Sequence, residues 1–252
     1  FCGVRKIEKR ITFKTWPELK REIFMNKLVF YDSNMLPNPN ISEILEGISQ
    51  LRVNDRVVHC EAQSGFDPRL ITPKIAKLIK KARFSAVRIS WDWGLEQKPV
   101  VRKALEHLNN AGYQYKNISL FMLYNWKVPF EVLEKKREIC WRWNAQITDC
   151  RYRPLDQLYD NYNPRKRQTG ADYYIHPRWT DEQVKTFRRR VREQNICVRF
   201  GFQDIQHYKE WIKHRRKTKP LVNRGLFNGV AVKLACPPPK TNNAVLKRGR
   251  YF

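Results

Sequence analysis

Residues 86–124, AVRISWDWGLEQKPVVRKALEHLNNAGYQYKNISLFMLY, contain two short apolar runs with a helical pattern between them. The runs lie at 86–91 and 118–124. Between them, apolar residues recur at helical spacing from Val100 to Ala111, and Gly112 follows as a helix stop. Apolar runs of this length joined by an amphipathic helix are typical of a parallel strand–helix–strand unit. The stretch therefore predicts an α/β fold.

The same alternation recurs along the chain with a period of about 30 residues, the size of one such unit. Further apolar runs at 28–31, 57–60 and 145–148 bring the number of predicted strands to five. Helix patterns cover 16–24, 41–51, 72–82, 100–111 and 132–143, and a capping box at Thr180-Asp181-Glu182-Gln183 opens another helix. Five strands are too few for a closed eight-stranded barrel, and they suit an open or partial barrel or a doubly wound sheet.

The charge of the chain is strongly positive. Its 252 residues include 50 Lys and Arg against 24 Asp and Glu, which gives a formal net charge of +26. Such an excess favours a polyanionic partner, most often nucleic acid, although solvated outer faces of helices explain part of it. The densest basic runs are Arg188-Arg189-Arg190 and 213–217. A nucleic-acid-binding protein without catalysis is therefore one hypothesis.

Several classes of protein are disfavoured by composition and motif. No apolar run approaches the roughly 20 residues of a membrane-spanning helix, so we expect no membrane partner. Six cysteines at irregular spacing and no apolar leader indicate a reduced, cytoplasmic compartment. The sequence has no glycine-rich dinucleotide or phosphate-binding loop, no nucleophile elbow and no zinc-ligand spacing.

Polar residues follow each predicted strand, at the end where parallel α/β folds bind ligands. Each of them is also an ordinary residue of caps and turns, but the set as a whole indicates a site. Three of the carboxylates, Glu61, Asp92 and Asp149, leave open a hydrolase or isomerase that uses an acid and a base. The candidate residues are Asp32, Ser33, Asn34, Gln63, Arg69, Arg88, Ser90 and Asp92, with Asn125 and Asp149 beyond the last two strands.

The residues Phe1-Cys2, followed by Gly3-Val4-Arg5, resemble the end of a cluster motif of the radical S-adenosylmethionine enzymes. That motif reads Cys-x3-Cys-x-aromatic-Cys. The order and spacing of the predicted strands also resemble strands two to six of the family's partial (β/α)6 TIM-like barrel, over about residues 1–200. Residues 201–252 are then a basic, partly irregular C-terminal extension. The resemblance implies that the first strand and two cysteines are missing by N-terminal truncation.

The resemblance also implies a set of cofactors. Cys2 would be a ligand of a [4Fe–4S] cluster, and an electron donor would reduce that cluster. The reduced cluster would cleave S-adenosylmethionine to a 5′-deoxyadenosyl radical that acts on an unknown substrate. The eight candidates from Asp32 to Asp92 would contact S-adenosylmethionine, although the Gly-Gly-Glu-like motif of the family is absent. One thiolate cannot hold a cluster, so we expect this chain alone to be inactive, and no catalytic residue is assigned.

Overall fold

The computed structural model describes residues 11–32 and 34–218, which form a mixed α/β fold with seven helices. The helices are α1 (Trp16–Arg21), α2 (Ile41–Gln50), α3 (Pro73–Lys81), α4 (Lys98–Asn110), α5 (Phe130–Arg142), α6 (Asp181–Phe200) and α7 (Ile205–Thr218). The strands are β1 (Lys27–Phe30), β2 (Arg52–Val53), β3 (Arg56–Val57), β4 (His59–Ala62), β5 (Arg88–Ser90), β6 (Ser119–Tyr124) and β7 (Gln146–Arg151).

The long strands are parallel and lie in two small sheets. β1 pairs with β4, and β5, β6 and β7 pair in chain order. Two single parallel bridges, Cys60 with Phe84 and Phe66 with Ile89, join the segment of β4 to that of β5. Neighbouring strands therefore follow the order of the chain. The α/β class is confirmed, and the strands of the described residues form no closed barrel.

Alternation along the strands gives the three-stranded sheet one apolar and one polar face. Ile89, Leu120 and Ile147 are paired neighbours and are almost completely buried in the core shared with the helices. Their flanking residues in the same register, such as Ser90, Phe121 and Thr148, are half-buried. Each buried aliphatic side chain contributes about 1.5–3 kcal/mol relative to exposure. The apolar face thus anchors the sheet, and the polar face carries the strand-end residues.

The second predicted strand begins later than its apolar run indicates. Residues 52–57 form a small antiparallel hairpin, β2 and β3, in which Asn54 and Asp55 have φ values of 50° and 61°. Asn and Asp tolerate this left-handed conformation better than most residues, so they suit the hairpin turn. Because Val57 belongs to the hairpin, the parallel strand occupies 59–62 instead of 57–60. The bounds predicted for this strand, 57–60, were therefore wrong.

The far edge of the sheet is closed by a side chain. The Asn195 amide of α6 accepts from the backbone N–H of Ile147 at 2.8 Å and donates to its carbonyl at 2.7 Å. It takes the hydrogen-bonding positions that a further strand would use near the start of β7. α7 then extends the described chain to residue 218, within the extension predicted from 201 onward.

Among the described residues, no helix combines the length and apolar character that crossing a membrane requires.

Candidate functional site

Five of the polar residues near the strand ends, Glu61, Gln63, Arg88, Ser90 and Asp92, form what we call the strand-end cluster. The Arg88 guanidinium pairs with the Glu61 carboxylate at 2.8 Å, and both side chains are about one-fifth exposed. Arg88 also donates to the Ala62 carbonyl at 3.1 Å, while the Gln63 amide donates to Glu61 at 3.2 Å. Half-burial strengthens such charge-assisted bonds relative to surface pairs. Arg88, the charged residue of β5, therefore forms its ion pair with Glu61 of the neighbouring β4.

A glycine allows the loop after β4 to return against β5. Gly65 has φ +76°, and a Cβ there would lie 3.0 Å from the Arg88 carbonyl oxygen. Beside it, the Phe66 N–H donates to the Arg88 carbonyl at 2.9 Å, and the Ser90 N–H donates to the Phe66 carbonyl at 3.0 Å. This close crossing brings Gln63 of one loop beside β5. It also extends the parallel pairing beyond the end of β4.

Asp92 follows β5 and is held near an unexpected buried lysine. Lys136 of α5 is fully buried, and its ammonium donates to the carbonyls of Trp91 and Trp93, the latter at 2.7 Å. These two carbonyls flank Asp92, so Lys136 fixes the turn that presents it. Burial raises the pKa of Asp92, with Asp67 adding to the shift and Lys136 opposing it. Burial also lowers the pKa of Lys136 to about 8.

The remaining predicted contacts are not part of this cluster. Asp32 is exposed, and Asn34 caps its own turn by accepting from the Leu36 N–H at 3.2 Å. Arg69 is paired with Asp67 at 2.5 Å and is mostly exposed. The structure thus brings Gln63 and Arg88 together at Glu61 and places Ser90 and Asp92 further along the segment of β5. It leaves Asp32, Asn34 and Arg69 as turn and surface residues. Cys2 and Ser33 lie outside the described residues.

The three carboxylates of the acid–base hypothesis have different partners. Glu61 is bound to Arg88 and Asp92 lies near Lys136, whereas Asp149 is close to Arg188 and Arg192 of α6. Burial raises the pKa of Asp149, and the two arginines oppose that shift. In the described part of the chain, no hydrogen bond joins any two of these carboxylates. The arrangement gives no support to an acid–base pair.

A buried asparagine organises the loop beyond β6 and β7. Asn125 has φ +58° and no exposed surface, and its amide donates to the carbonyls of Tyr152 and Tyr174 at 3.2 and 2.7 Å. Its side-chain oxygen accepts from the His176 N–H at 2.9 Å. Three separate chain segments are thereby held together. Trp126 packs on Tyr152 in the same region, with ring centroids 3.9 Å apart.

The roles of Lys136 and Asn125 were not predicted from the sequence. A signal existed for Lys136, which lies three residues after Leu133 and four before Cys140, on the apolar side of α5. A lysine on such a stripe is expected to have a buried partner. Asn125 was identified only as a residue after β6. The distant carbonyls that it binds, near 152 and 174, could not be located from the sequence.

The described cysteines do not form a metal site. Cys60, Cys140 and Cys197 are buried and Cys150 is exposed. Burial raises the pKa of Cys60 to about 12, which disfavours the thiolate. Within 11–32 and 34–218, no three His, Cys, Asp or Glu residues lie close enough to hold a metal ion.

Comparison with protein-family models and with curated proteins gives no match for this chain.

Proposed function

We propose that this chain is the cofactor-binding part of a radical S-adenosylmethionine enzyme, in which the strand-end cluster contacts S-adenosylmethionine. Support comes first from the resemblance at Phe1-Cys2 and from the partial (β/α)6 barrel that it implies. The parallel strands, whose neighbours follow chain order, are compatible with such a partial barrel. The observation that supports the proposal best is the cluster itself. Its Arg88, Glu61 and Gln63 groups meet at the carboxyl end of β4, beside the start of β5, and Ser90 and Asp92 lie at the carboxyl end of β5. Parallel α/β folds bind ligands at the carboxyl ends of their strands.

The side chains of the strand-end cluster suit S-adenosylmethionine but do not suit an iron–sulfur cluster. S-adenosylmethionine presents an amino group, a carboxylate and two ribose hydroxyls. Asp92 and Glu61 offer acceptors for the amino group and hydroxyls, and Arg88 and Gln63 offer donors for the carboxylate. An iron–sulfur cluster needs thiolates, and the described cysteines do not provide a set of them. Cys2, its proposed ligand, lies outside the described residues.

The chemistry that S-adenosylmethionine would supply when bound is removal of hydrogen from a substrate, and Glu61, Gln63, Arg88 and Asp92 would hold it. The residues of this chain hold and orient the cofactor. Asp92 is kept in place by the Lys136 contacts to Trp91 and Trp93, so Lys136 is a positioning residue. Since an ionised Asp92 accepts hydrogen bonds best, cofactor affinity should rise as pH increases through its raised pKa.

Isothermal titration of the full chain with S-adenosylmethionine tests the proposal. Asp92→Ala should weaken binding by about 10-fold or more, because a hydrogen bond to a charged group contributes about 1.5–3 kcal/mol. Asp156→Ala, which removes an exposed loop carboxylate, should leave the affinity unchanged. No binding by the unaltered chain, or equal affinities for the two variants, would refute the assignment.

A second candidate function, nucleic-acid binding without catalysis, is favoured by one observation. A cleft beside α6 is lined by seven Lys and Arg and only three Asp and Glu. Titration with S-adenosylmethionine separates the two functions, because only the first predicts that it binds.

A further inference from the structure

A cleft lies between α6 and the loop of residues 162–169. Its volume is about 1170 Å³, and its wall carries Arg165, Lys166 and Arg167 on the loop and Arg189 and Arg192 on the helix. We infer that this basic cleft binds the phosphodiester backbone of a nucleic-acid strand. The inference rests on the second candidate function and not on S-adenosylmethionine binding, since the basic cleft and the strand-end cluster share no residue.

The five cations just named form no ion pair among the described residues. Each is exposed, and none has a carboxylate oxygen within 4.0 Å among the described residues. Grouping like charges in one concave surface costs free energy through their mutual repulsion. A bound polyanion removes that cost and releases counterions. The charge of the cleft is therefore a property that a polyanionic ligand would exploit.

Acidic residues in the cleft reduce its charge only in part. Asp181 is already used, because it pairs with Lys185 at 2.7 Å and accepts from the Tyr173 hydroxyl at 2.9 Å. These contacts lower the pKa of Asp181, with burial opposing them. Glu182 and Glu193 also line the wall. The excess of cations over carboxylates remains four.

The cations are presented by an ordered framework. Gln168 is buried, and its amide donates to the Asn161 carbonyl at 2.8 Å while its oxygen accepts from the Asn163 N–H at 2.5 Å. The Gln168 N–H in turn donates to Asp181 at 3.1 Å, which ties the loop to the start of α6. The basic loop therefore faces the helix through fixed contacts.

The spacing of the helical cations matches a chain of phosphates. Lys185, Arg188 or Arg189, and Arg192 recur every three or four residues, which places them along one side of α6, although Lys185 also pairs with Asp181. At 1.5 Å per residue this side extends about 10 Å, the rise of about three nucleotides at 3.4 Å each. Arginine is well suited to such a ligand because its planar fork binds phosphate oxygens in pairs.

The aromatic residue in the cleft favours contact with the backbone over contact with bases. The Arg151 and Arg188 guanidinium carbons lie 4.6 and 5.4 Å from the centre of the Tyr162 ring. Tyr173 packs edge-on to the same ring, with centroids 5.1 Å apart. With these contacts in place, a base has little room to stack on Tyr162. We therefore expect binding that depends on salt and little on nucleotide sequence.

Fluorescence anisotropy with a labelled single-stranded oligonucleotide and the full chain tests this inference. The test pair is Arg189→Gln/Arg192→Gln, and the matched control is Lys74→Gln/Lys77→Gln, two exposed cations with the same spacing on α3. Losing two phosphate contacts should lower the salt slope by about 1.4 and weaken binding by roughly 25-fold at 0.1 M salt. The control, which makes the same change in net charge, should weaken binding much less.

Three results would overturn the inference. Equal weakening by the two double variants would show that net charge alone attracts the oligonucleotide. Absence of salt-dependent binding by the unaltered chain would show that the cleft takes no nucleic acid. Binding of tripolyphosphate without binding of the oligonucleotide would assign the cleft to a small phosphate compound. None of these results bears on S-adenosylmethionine, which is left out of the assay.

Discussion

Replacing Asn125 with alanine should destabilise the fold strongly and locally. The substitution removes three hydrogen bonds of 2.7–3.2 Å from a residue that is fully buried. At about 1 kcal/mol net for each bond, the loss is about 3 kcal/mol. Alanine also tolerates the φ of +58° less well than asparagine, which adds about 1 kcal/mol. The expected total is about 4 kcal/mol in the free energy of unfolding.

A matched control separates the two contributions. Asn144 has a similar φ of +54° but is exposed, and its side chain makes no hydrogen bond to another residue of the described chain. Asn144→Ala should therefore cost only the backbone part, about 1 kcal/mol. The difference between the two variants, measured by urea unfolding followed through tryptophan fluorescence, isolates the hydrogen bonds of Asn125.

Hydrogen exchange adds a local measurement. The His176 amide, which donates to Asn125, should lose protection in Asn125→Ala and keep it in Asn144→Ala. If Asn125→Ala costs no more than Asn144→Ala, the asparagine does not hold the loop segments together as the geometry indicates. Unchanged exchange at His176 would contradict the account in the same way.

Three further predictions concern the region around the strand ends. Gly65→Ala should lower the free energy of unfolding in urea more than Gly201→Ala does. Both glycines have positive φ, but only Gly65 has neighbours within 4 Å of the new Cβ. Equal losses in the two variants would contradict the close approach of the Gly65 loop to β5. Burial raises the pKa of Cys60 to about 12, so its stabilising effect is complete below pH 9 and is lost as pH rises towards 12. Cys60→Ala should make the alkaline decline in stability shallower by up to about 1.4 kcal/mol per pH unit above pH 9, and an unchanged slope would be evidence against burial of the thiol. Because the pKa of Asp92 is raised, its ionised form costs stability at pH 7, so Asp92→Asn should unfold at equal or higher urea concentration while binding S-adenosylmethionine more weakly.

Much of the architecture could be predicted from local patterns. Thr72 before Pro73 and the capping box at Thr180 each gave a helix start that the structure confirms. The apolar runs located the five parallel strands, since buried strands between helices are continuously apolar. The hairpin of β2 and β3 was missed because its turn, Asn54-Asp55, lacks the glycine that marks most two-residue hairpins.

The site was less predictable because it depends on register and on distant contacts. That Arg88 meets Glu61 follows from how β4 lies beside β5, which no local pattern sets. Asp149 was placed with the strand-end residues, but it is close to cations of α6 instead. Similarly, Arg165 and Arg189 belong to two basic runs about 20 residues apart, and only the folded loop brings them to one cleft. Local periodicity thus indicates elements, whereas tertiary packing decides which side chains meet.

Hydrogen exchange of the full chain with and without saturating S-adenosylmethionine tests the central claim most directly. The strand-end cluster predicts slower exchange in peptides that cover residues 61–69 and 88–94. Adenosine triphosphate, which has the adenosine but not the methionyl group, should slow exchange in those peptides less. Unaltered exchange at both segments with S-adenosylmethionine, or equal slowing by adenosine triphosphate, would contradict a site for S-adenosylmethionine at the ends of β4 and β5.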